Sequence, residues 1–469
     1  MDEGQRPTIP ADIIGISLNR RRFLKYAGAT AAVVGASALG LDYALKAQLS
    51  QPTQVTTTTS KFNYPPVAAF DYTPKYLNPT DQQTVQFTNL STDLDNDLLK
   101  YAWFVDDQIV SENKDYSTKL PVGQHLIRLN VSDSQAGDVT EKTVTVEPDQ
   151  IYPTKTLHIA YKGMRMSVGW KGDSHAPIDR QDEKLDVIRN ELGCNALIIY
   201  GYADFEDDLI NVGKLAVGKR FDRIYLTPMY LDFSIDDTVQ RIGSFASRIK
   251  ALREKSDSIV FMVGHEFSLD SSSFVPGATY DEREQNAWNG QFNWRKGLSV
   301  MPSAFSKIIS LCKQNYGYPI AYASTTWEAD NVVPWEDSTF ESIGVDAYVW
   351  NKVGWTQQYV TNEIEKLSQQ YRKQVMVTEW GCCSFKNASE DWQAEPGPDY
   401  PYDEDEQANY IQQYCDMLNR SAATGCFYTQ IDDERPKGYG LYLATTHPFG
   451  PGSKRKKGFY MYKSYQRSD

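Results

Sequence analysis

From about residue 155 onward, short apolar runs alternate with stretches of helical periodicity, and this order restricts the fold more than any other feature of the sequence. The apolar runs have the length and composition of buried parallel strands. Eight of them span residues 164–168, 196–200, 223–228, 259–263, 320–324, 342–348, 374–378 and 425–430. Helical stretches lie at residues 183–192, 236–254, 303–314, 361–371 and 404–421.

This alternation predicts an α/β fold of the (β/α)8 TIM-barrel class for residues 155–469. The connection between the fifth and sixth strands lacks a clear helical pattern. A doubly wound open sheet is the alternative topology. It is disfavoured because no glycine-rich phosphate loop follows the first strand.

The chain has 469 residues, which is too long for a single typical core, so more than one module is expected. Its 41% hydrophobic and 23% charged residues are typical of a globular protein. The net charge of -13 argues against a nucleic-acid partner, because such binding needs a basic face. The six cysteines form no C-x-x-C pair, which argues against a zinc ribbon or a thioredoxin-type site.

Residues 19–25 read NRRRFLK and precede a mildly apolar run that is rich in Gly and Ala. This order resembles a twin-arginine export signal, with the small residues Ala36, Ser37 and Ala38 as a cleavage site. A buried helix that follows three arginines is the alternative. We expect residues 1–47 to be a signal or an N-terminal anchor and the mature protein to be extracellular or at the cell surface. Residues 48–63, rich in Thr and Gln, are predicted to form a linker.

Residues 64–150 contain several short runs with a period of two, separated by turn-rich stretches. Val85 and Phe87 share one predicted strand face, and Tyr101 and Trp103 share another. This spacing predicts a small β-sandwich. The segments VQFTNLSTDLDND, YAWFVDDQ and LPVGQHLIRLNVSDSQAGD resemble a PKD domain, which implies an immunoglobulin-like fold and a role as spacer or interaction module.

Asp93, Asp95 and Asp97 alternate within the first of these segments and raise the question of a calcium site. No hinge glycine and no closing glutamate accompany them, so a plain acidic turn is the preferred interpretation. No metal is expected anywhere in the chain.

Chemistry in a TIM barrel lies on the loops that follow the carboxyl ends of the strands. Acidic and aromatic residues occupy these positions, as in a saccharide-binding cleft. The candidate substrate-binding residues are Trp170, Tyr202, Tyr230, His265, Trp327, Trp350, Trp380 and Gln430. Each tryptophan could instead pack within the barrel, and His265 could make a structural hydrogen bond beside the site.

Glu266 and Glu379 follow the fourth and seventh predicted strands. Hydrolysis of a glycosidic bond needs one carboxylic acid to protonate the leaving oxygen and one carboxylate on the other face of the sugar. The two groups must differ in pKa, so their surroundings must differ. A separation of about 5–5.5 Å between the carboxyl groups is expected for retention and about 6.5–9.5 Å for inversion.

The segment VMVTEWG, which contains Glu379, resembles the strand 7 motif of the clan A glycoside hydrolases. The resemblance covers most of residues 160–465. It implies that Glu266 is the acid/base, that Glu379 is the nucleophile, and that Tyr348 at the end of strand 6 orients Glu379.

Three features depart from the clan pattern. His265 stands where most members have Asn before the acid/base, and this His-Glu pair is similar to the β-mannanase-type family. The usual Trp after strand 8 is replaced by Gln430 and Asp432, and no arginine is found on strand 2. These differences leave the substrate open.

The sequence therefore predicts an exported, monomeric, retaining glycosidase that acts on a β-linked polysaccharide or surface glycan without a cofactor. An uncleaved signal would attach it to the membrane. The alternatives are a non-catalytic surface protein that binds glycan and a barrel hydrolase that acts on cell-wall peptidoglycan. The long insertion at residues 269–297 is the candidate for substrate selection.

Overall fold

The computed structural model describes residues 63–73, 77, 84–146, 148, 150–169, 178–390, 401–433, 438–443 and 454–468. The predicted export signal, nearly all of the linker and Trp170 lie outside these residues. Among the helices of the described ranges, none combines the length and apolar character that a membrane span requires.

The N-terminal module contains two antiparallel sheets. Its strands are β1 (Phe70–Thr73), β2 (Val85–Asn89), β3 (Lys100–Val105), β4 (Gln108–Ser111), β5 (Tyr116–Thr118), β6 (Gly123–Ser132) and β7 (Gly137–Val146). The orders are β1-β2-β5 and β4-β3-β6-β7. Trp103 is fully buried at the centre, with the Phe70 ring edge-on at 5.1 Å, because alternate residues of the strands face inward. This arrangement matches the predicted β-sandwich.

The C-terminal module is a closed barrel of eight parallel strands, as predicted. The strands are β9 (Tyr161–Ser167), β10 (Ala196–Tyr202), β11 (Arg223–Met229), β12 (Ile259–His265), β13 (Ile320–Ser324), β14 (Ile343–Asp346), β15 (Val375–Trp380) and β16 (Ala423–Tyr428). They follow one another in chain order, and β16 pairs with β9 to close the barrel. A short strand before the barrel, β8 (Lys155–Leu157), pairs with the final strand, β20 (Tyr465–Arg467).

Helices connect successive strands and cover the outside of the barrel. They are α1 (Ile178–Asp186), α2 (Glu206–Gly218), α3 (Ile235–Arg253), α4 (Phe267–Asp270), α5 (Tyr280–Trp288), α6 (Trp294–Asn315), α7 (Thr326–Asn331), α8 (Gln357–Tyr371), α9 (Glu404–Leu418) and α10 (Lys457–Ser464). Short strands β17 (Asp432–Asp433), β18 (Tyr442–Leu443) and β19 (Lys454–Arg455) form a small separate sheet near the C-terminus. Helix α2 was not predicted, because its two glycines and two valines weaken the helical signal.

Lys162 closes the amino-terminal end of the barrel. Its Nζ atom donates to the carbonyl oxygens of Leu192 at 2.5 Å, Tyr462 at 2.9 Å and Tyr465 at 2.8 Å. The Leu192 carbonyl follows the helical segment Val187–Glu191, and the other two lie at the C-terminal end of α10, where the Tyr462 oxygen also accepts the amide of Tyr465. A fully buried ammonium group therefore joins the first strand to both segments.

Candidate active site

Glu266 follows the last residue of β12 in an unusual backbone conformation. Its φ of 33° and ψ of 56° lie in the left-handed region, which is unfavourable for a glutamate and costs on the order of 1–2 kcal/mol. The amide of Glu266 is held by the carbonyl of Ala323 on β13 at 2.9 Å. The surrounding strands thus impose a strained turn at this position, as is common at functional sites.

The loop that carries Glu266 is fixed by a buried carboxyl group. Glu328 in α7 accepts hydrogen bonds from the amide of Ser268 at 2.6 Å and from the Tyr322 hydroxyl at 3.0 Å. The Tyr322 hydroxyl also lies 2.8 Å from the amide of Phe267. Burial raises the pKa of Glu328 to about 7. The first residues after Glu266 are therefore anchored to β13 and α7.

Glu379 lies in β15 and its carboxylate is surrounded by donors. Arg165 of β9 forms an ion pair with Oε2, and His265 Nε2 lies 3.2 Å from the same oxygen. The Tyr348 hydroxyl donates to Oε1, and the Thr429 hydroxyl donates to Oε1 at 3.1 Å. Two cationic groups and two hydroxyls favour the ionised form of a carboxyl group.

The predicted contact between Tyr348 and Glu379 is present. The Tyr348 ring stacks on Trp350 at 4.5 Å with an interplanar angle of 8°, and Trp350 stacks on Trp355 at 5.5 Å. Burial raises the pKa of Tyr348, so the phenol keeps its proton and donates. The stack fixes the direction in which that hydroxyl points.

Glu266 has the opposite electrostatic surroundings. Burial raises the pKa of Glu266 well above its usual value; the positive charge of His265 works against this rise, and the negative charge of Asp346 adds to it. This carboxyl group therefore retains a proton at pH values where an exposed glutamate is ionised. The two glutamates differ in the way that acid and nucleophile must differ.

His265, the last residue of β12, is buried among carboxylates. Its Nε2 atom lies 3.1 Å from Asp346 Oδ2 as well as 3.2 Å from Glu379 Oε2, and its Nδ1 atom lies 3.6 Å from Asp270 Oδ2. Burial alone would lower the pKa of His265, but the charges of Glu266 and Asp346 and the contact with Asp270 outweigh it and raise the pKa to about 10.

Four residues of this site were not among the predicted site residues: Arg165, Asp270, Asp346 and Thr429. Arg165 and Asp346 were detectable as charged residues at buried positions of two predicted strands. The guanidinium group that pairs with Glu379 comes from Arg165 on the first barrel strand and not from the second strand. Asp270 and Thr429 carry no sequence pattern that separates them from ordinary loop residues.

The aromatic residues predicted to bind substrate differ in their burial and in their contacts. Trp380 is fully buried and stacks on Tyr414 of α9 at 4.3 Å, so the predicted sugar contact is corrected to a packing role. Tyr230 is buried to the same extent as Tyr202 and its hydroxyl donates to Glu206 at 2.9 Å, so its predicted sugar contact stays a prediction.

The other predicted contacts stay predictions. Tyr202 is buried at the end of β10, and Trp350 supports Tyr348. Trp327 is partly buried and packs edge-to-face against Trp294 at 4.7 Å, and Trp294 is 45% exposed. Gln430 is partly buried after β16.

The insertion after Glu266 is tied to the barrel by Arg283 of α5. Arg283 is fully buried, its Nη2 atom donates to the carbonyl of Asp270 at 2.8 Å, and its Nη1 atom lies 2.9 Å from Asp232 Oδ1. Gly277 lies so close to Arg283 that a Cβ atom would come within 2.9 Å of its side chain, and its φ is +141°. These contacts of Arg283 therefore hold the insertion in a defined position against the loops of the barrel.

Two groups of side chains in the described residues have ligand atoms close enough for a metal. His265, Asp346 and Glu379 form one group, but Arg165 and the imidazole already supply positive charge there. Asp93, Asp95 and Asp97 form the other. Asp93 Oδ1 accepts the amides of Asp95 at 2.8 Å and Asp97 at 3.2 Å, as in an ordinary acidic turn.

The sequence matches no protein-family model and no curated protein. Among solved structures, a β-glucuronidase from an uncultured Clostridium sp. is similar, with 12% identity, 86% of this chain and 67% of that chain covered, and a TM-score of 0.43. A GH113 β-1,4-mannanase has 17% identity, 66% and 98% coverage, and a TM-score of 0.44.

The PKD1 domain of Vibrio anguillarum Epp is similar over 19% of this chain and 100% of that chain, with 31% identity and a TM-score of 0.16. These TM-scores are low, so the assignment of the barrel and the sandwich rests on their own strand order.

Proposed function

We propose that the protein is a retaining glycoside hydrolase, with Glu379 as nucleophile and Glu266 as acid/base. The observation that supports this most strongly is the contrast between the two carboxyl groups. Glu379 is held by Arg165, His265, Tyr348 and Thr429, whereas burial raises the pKa of Glu266. One group is thereby suited to attack as an anion and the other to deliver a proton.

In the first step, Glu379 attacks the anomeric carbon while Glu266 protonates the departing glycosidic oxygen. The bond to the leaving group breaks, and a covalent glycosyl ester forms at Glu379. In the second step, Glu266, now ionised, removes a proton from water, which attacks the anomeric carbon and releases Glu379. No oxidant, metal or cofactor takes part in this sequence.

The substrate class we propose is a β-linked polysaccharide or surface glycan outside the cell. The acidic, aromatic rim of the barrel supports a saccharide, because aromatic rings offer stacking faces to sugars. The twin-arginine-like segment at residues 19–41 supports export.

The test is a panel of defined polysaccharides incubated with the wild-type protein and with the Glu379→Ala variant. Release of reducing ends by the wild type alone is the expected result. Equal hydrolysis by both proteins would show that Glu379 is not the nucleophile. Binding of a glycan by the wild type without hydrolysis would replace the proposal by the non-catalytic alternative.

A further inference from the structure

Three carboxylates face one imidazole ring in the interior of the barrel mouth. Asp346 and Glu379 approach Nε2 of His265 at 3.1 and 3.2 Å, and Asp270 approaches Nδ1 at 3.6 Å. The charged groups around the ring are Glu266 and Asp270 after β12, Asp346 from β14, Glu379 from β15, and Arg165 of β9, which pairs with Glu379.

A neutral imidazole has one N–H donor and one nitrogen lone pair. With carboxylates at both ring nitrogens, a neutral ring would place its lone pair against a carboxylate oxygen in a buried environment. The imidazolium form presents an N–H group to the carboxylates on both sides, at 3.1 and 3.2 Å from Nε2 and at the longer distance of 3.6 Å from Nδ1. The placement of carboxylates on both sides of the ring thus favours its doubly protonated form.

Both aspartates are themselves fixed. Asp346 Oδ1 accepts the Thr378 hydroxyl at 2.7 Å, which leaves Oδ2 directed at the ring. The backbone carbonyl of Asp270 is held by Arg283 Nη2 at 2.8 Å and by the amide of Asp232 at 3.3 Å. Since Arg283 belongs to the insertion, the insertion determines where Asp270 meets the ring.

We infer that Asp270 and Asp346 are positioning residues that hold His265 as a fixed imidazolium against the Glu379 carboxylate. This inference rests on the proposed function for the role of Glu379. The imidazolium and Arg165 together keep Glu379 ionised and oriented, and the insertion after Glu266 takes part in catalysis through Arg283 and Asp270. Replacement of His265 by a neutral hydrogen-bonding residue would keep a contact but remove the charge.

The test is a pH titration of protein labelled with [15N]histidine, followed by NMR of the imidazole nitrogens. The chain has five histidines, and the His265 signal is assigned by its absence in a His265→Gln variant. We expect His265 of the wild type to remain doubly protonated through pH 8 and to lose its proton near pH 10. In Asp270→Asn and Asp346→Asn, we expect the transition to move to lower pH by about one to two units.

Asp416→Asn, at the opposite end of the barrel beside Lys155, is the matched control and should leave the His265 transition unchanged. A wild-type His265 that titrates near its ordinary pKa of about 6.5 would overturn the inference, even if Asp270→Asn fails to fold. Unchanged titration in both aspartate variants would overturn it as well.

This titration requires no substrate, so its outcome is separate from that of the polysaccharide panel. In an active preparation, the loss of kcat in Asp270→Asn relative to the wild type should follow the His265 transition that NMR measures in that variant, because a neutral ring no longer supports Glu379. A kcat ratio between variant and wild type that does not change across that transition would overturn the positioning role.

Discussion

The two ends of the barrel use buried charge in different ways. At the amino-terminal end, Lys162 donates to three backbone carbonyls at the C-terminal ends of two helical segments. At the carboxyl-terminal end, Glu266 and Glu379 stand among Arg165, His265 and Asp346, and Glu266 has a left-handed backbone. The first arrangement stabilises the fold. The second combines a strained backbone at Glu266 with repulsion between neighbouring carboxyl groups, as is expected at the proposed active site. Substitutions at the two ends should therefore have different consequences.

The largest effect is expected from Glu379→Gln. The amide retains the size of the side chain and can accept from Tyr348 and Thr429, but it cannot attack the anomeric carbon. The expected loss in kcat is about 10⁴-fold, or roughly 5 kcal/mol in activation free energy. Steady-state kinetics on the polysaccharide identified by the panel measure this loss. Activity within tenfold of the wild type would show that Glu379 is not the nucleophile.

Glu266→Gln is expected to reduce kcat by about 10³-fold on the natural linkage, because the leaving oxygen is no longer protonated. A substrate with an acidic phenol as leaving group needs little protonation, so its cleavage should fall much less. The wild-type profile should lose activity as pH rises through the raised pKa of Glu266, since the acid must be protonated. Glu254→Gln, on an exposed residue after α3, is the control. Equal losses on both substrates would contradict the acid role.

Lys162→Met tests the other end of the barrel. The variant removes three hydrogen bonds from a buried donor to backbone carbonyls, and the free energy of unfolding should fall by about 3 kcal/mol. The value of kcat should stay within about twofold below the melting transition. Urea denaturation measures the stability, with the exposed Lys255→Met as control. A loss of kcat without a loss of stability would contradict the assignment of Lys162 to fold stability rather than to catalysis.

Tyr348→Phe removes one hydrogen bond to the Glu379 carboxylate and keeps the stack on Trp350. A hydrogen bond to a charged group contributes about 1.5–3 kcal/mol, so kcat should fall roughly 10- to 100-fold. The stability should change little. An unaltered kcat in the variant would mean that Tyr348 does not orient Glu379.

The sequence predicted all eight barrel strands, because buried parallel strands are continuous apolar runs. It also placed Glu266, Glu379 and Tyr348 at strand ends that converge. It missed the partners Arg165, Asp270 and Thr429, since pairing across a barrel depends on distances between elements that are remote in sequence. The burial of Trp380 under α9 was missed for the same reason.

The most direct test of the proposed retaining mechanism is the configuration of the sugar at the moment of release. Proton NMR of the first product formed from a β-linked polysaccharide cleaved by the wild-type protein reports that configuration before mutarotation. A double displacement through Glu379 predicts that the β-anomer is released first. Initial release of the α-anomer would contradict the account, because a single displacement by water would then replace the attack by Glu379.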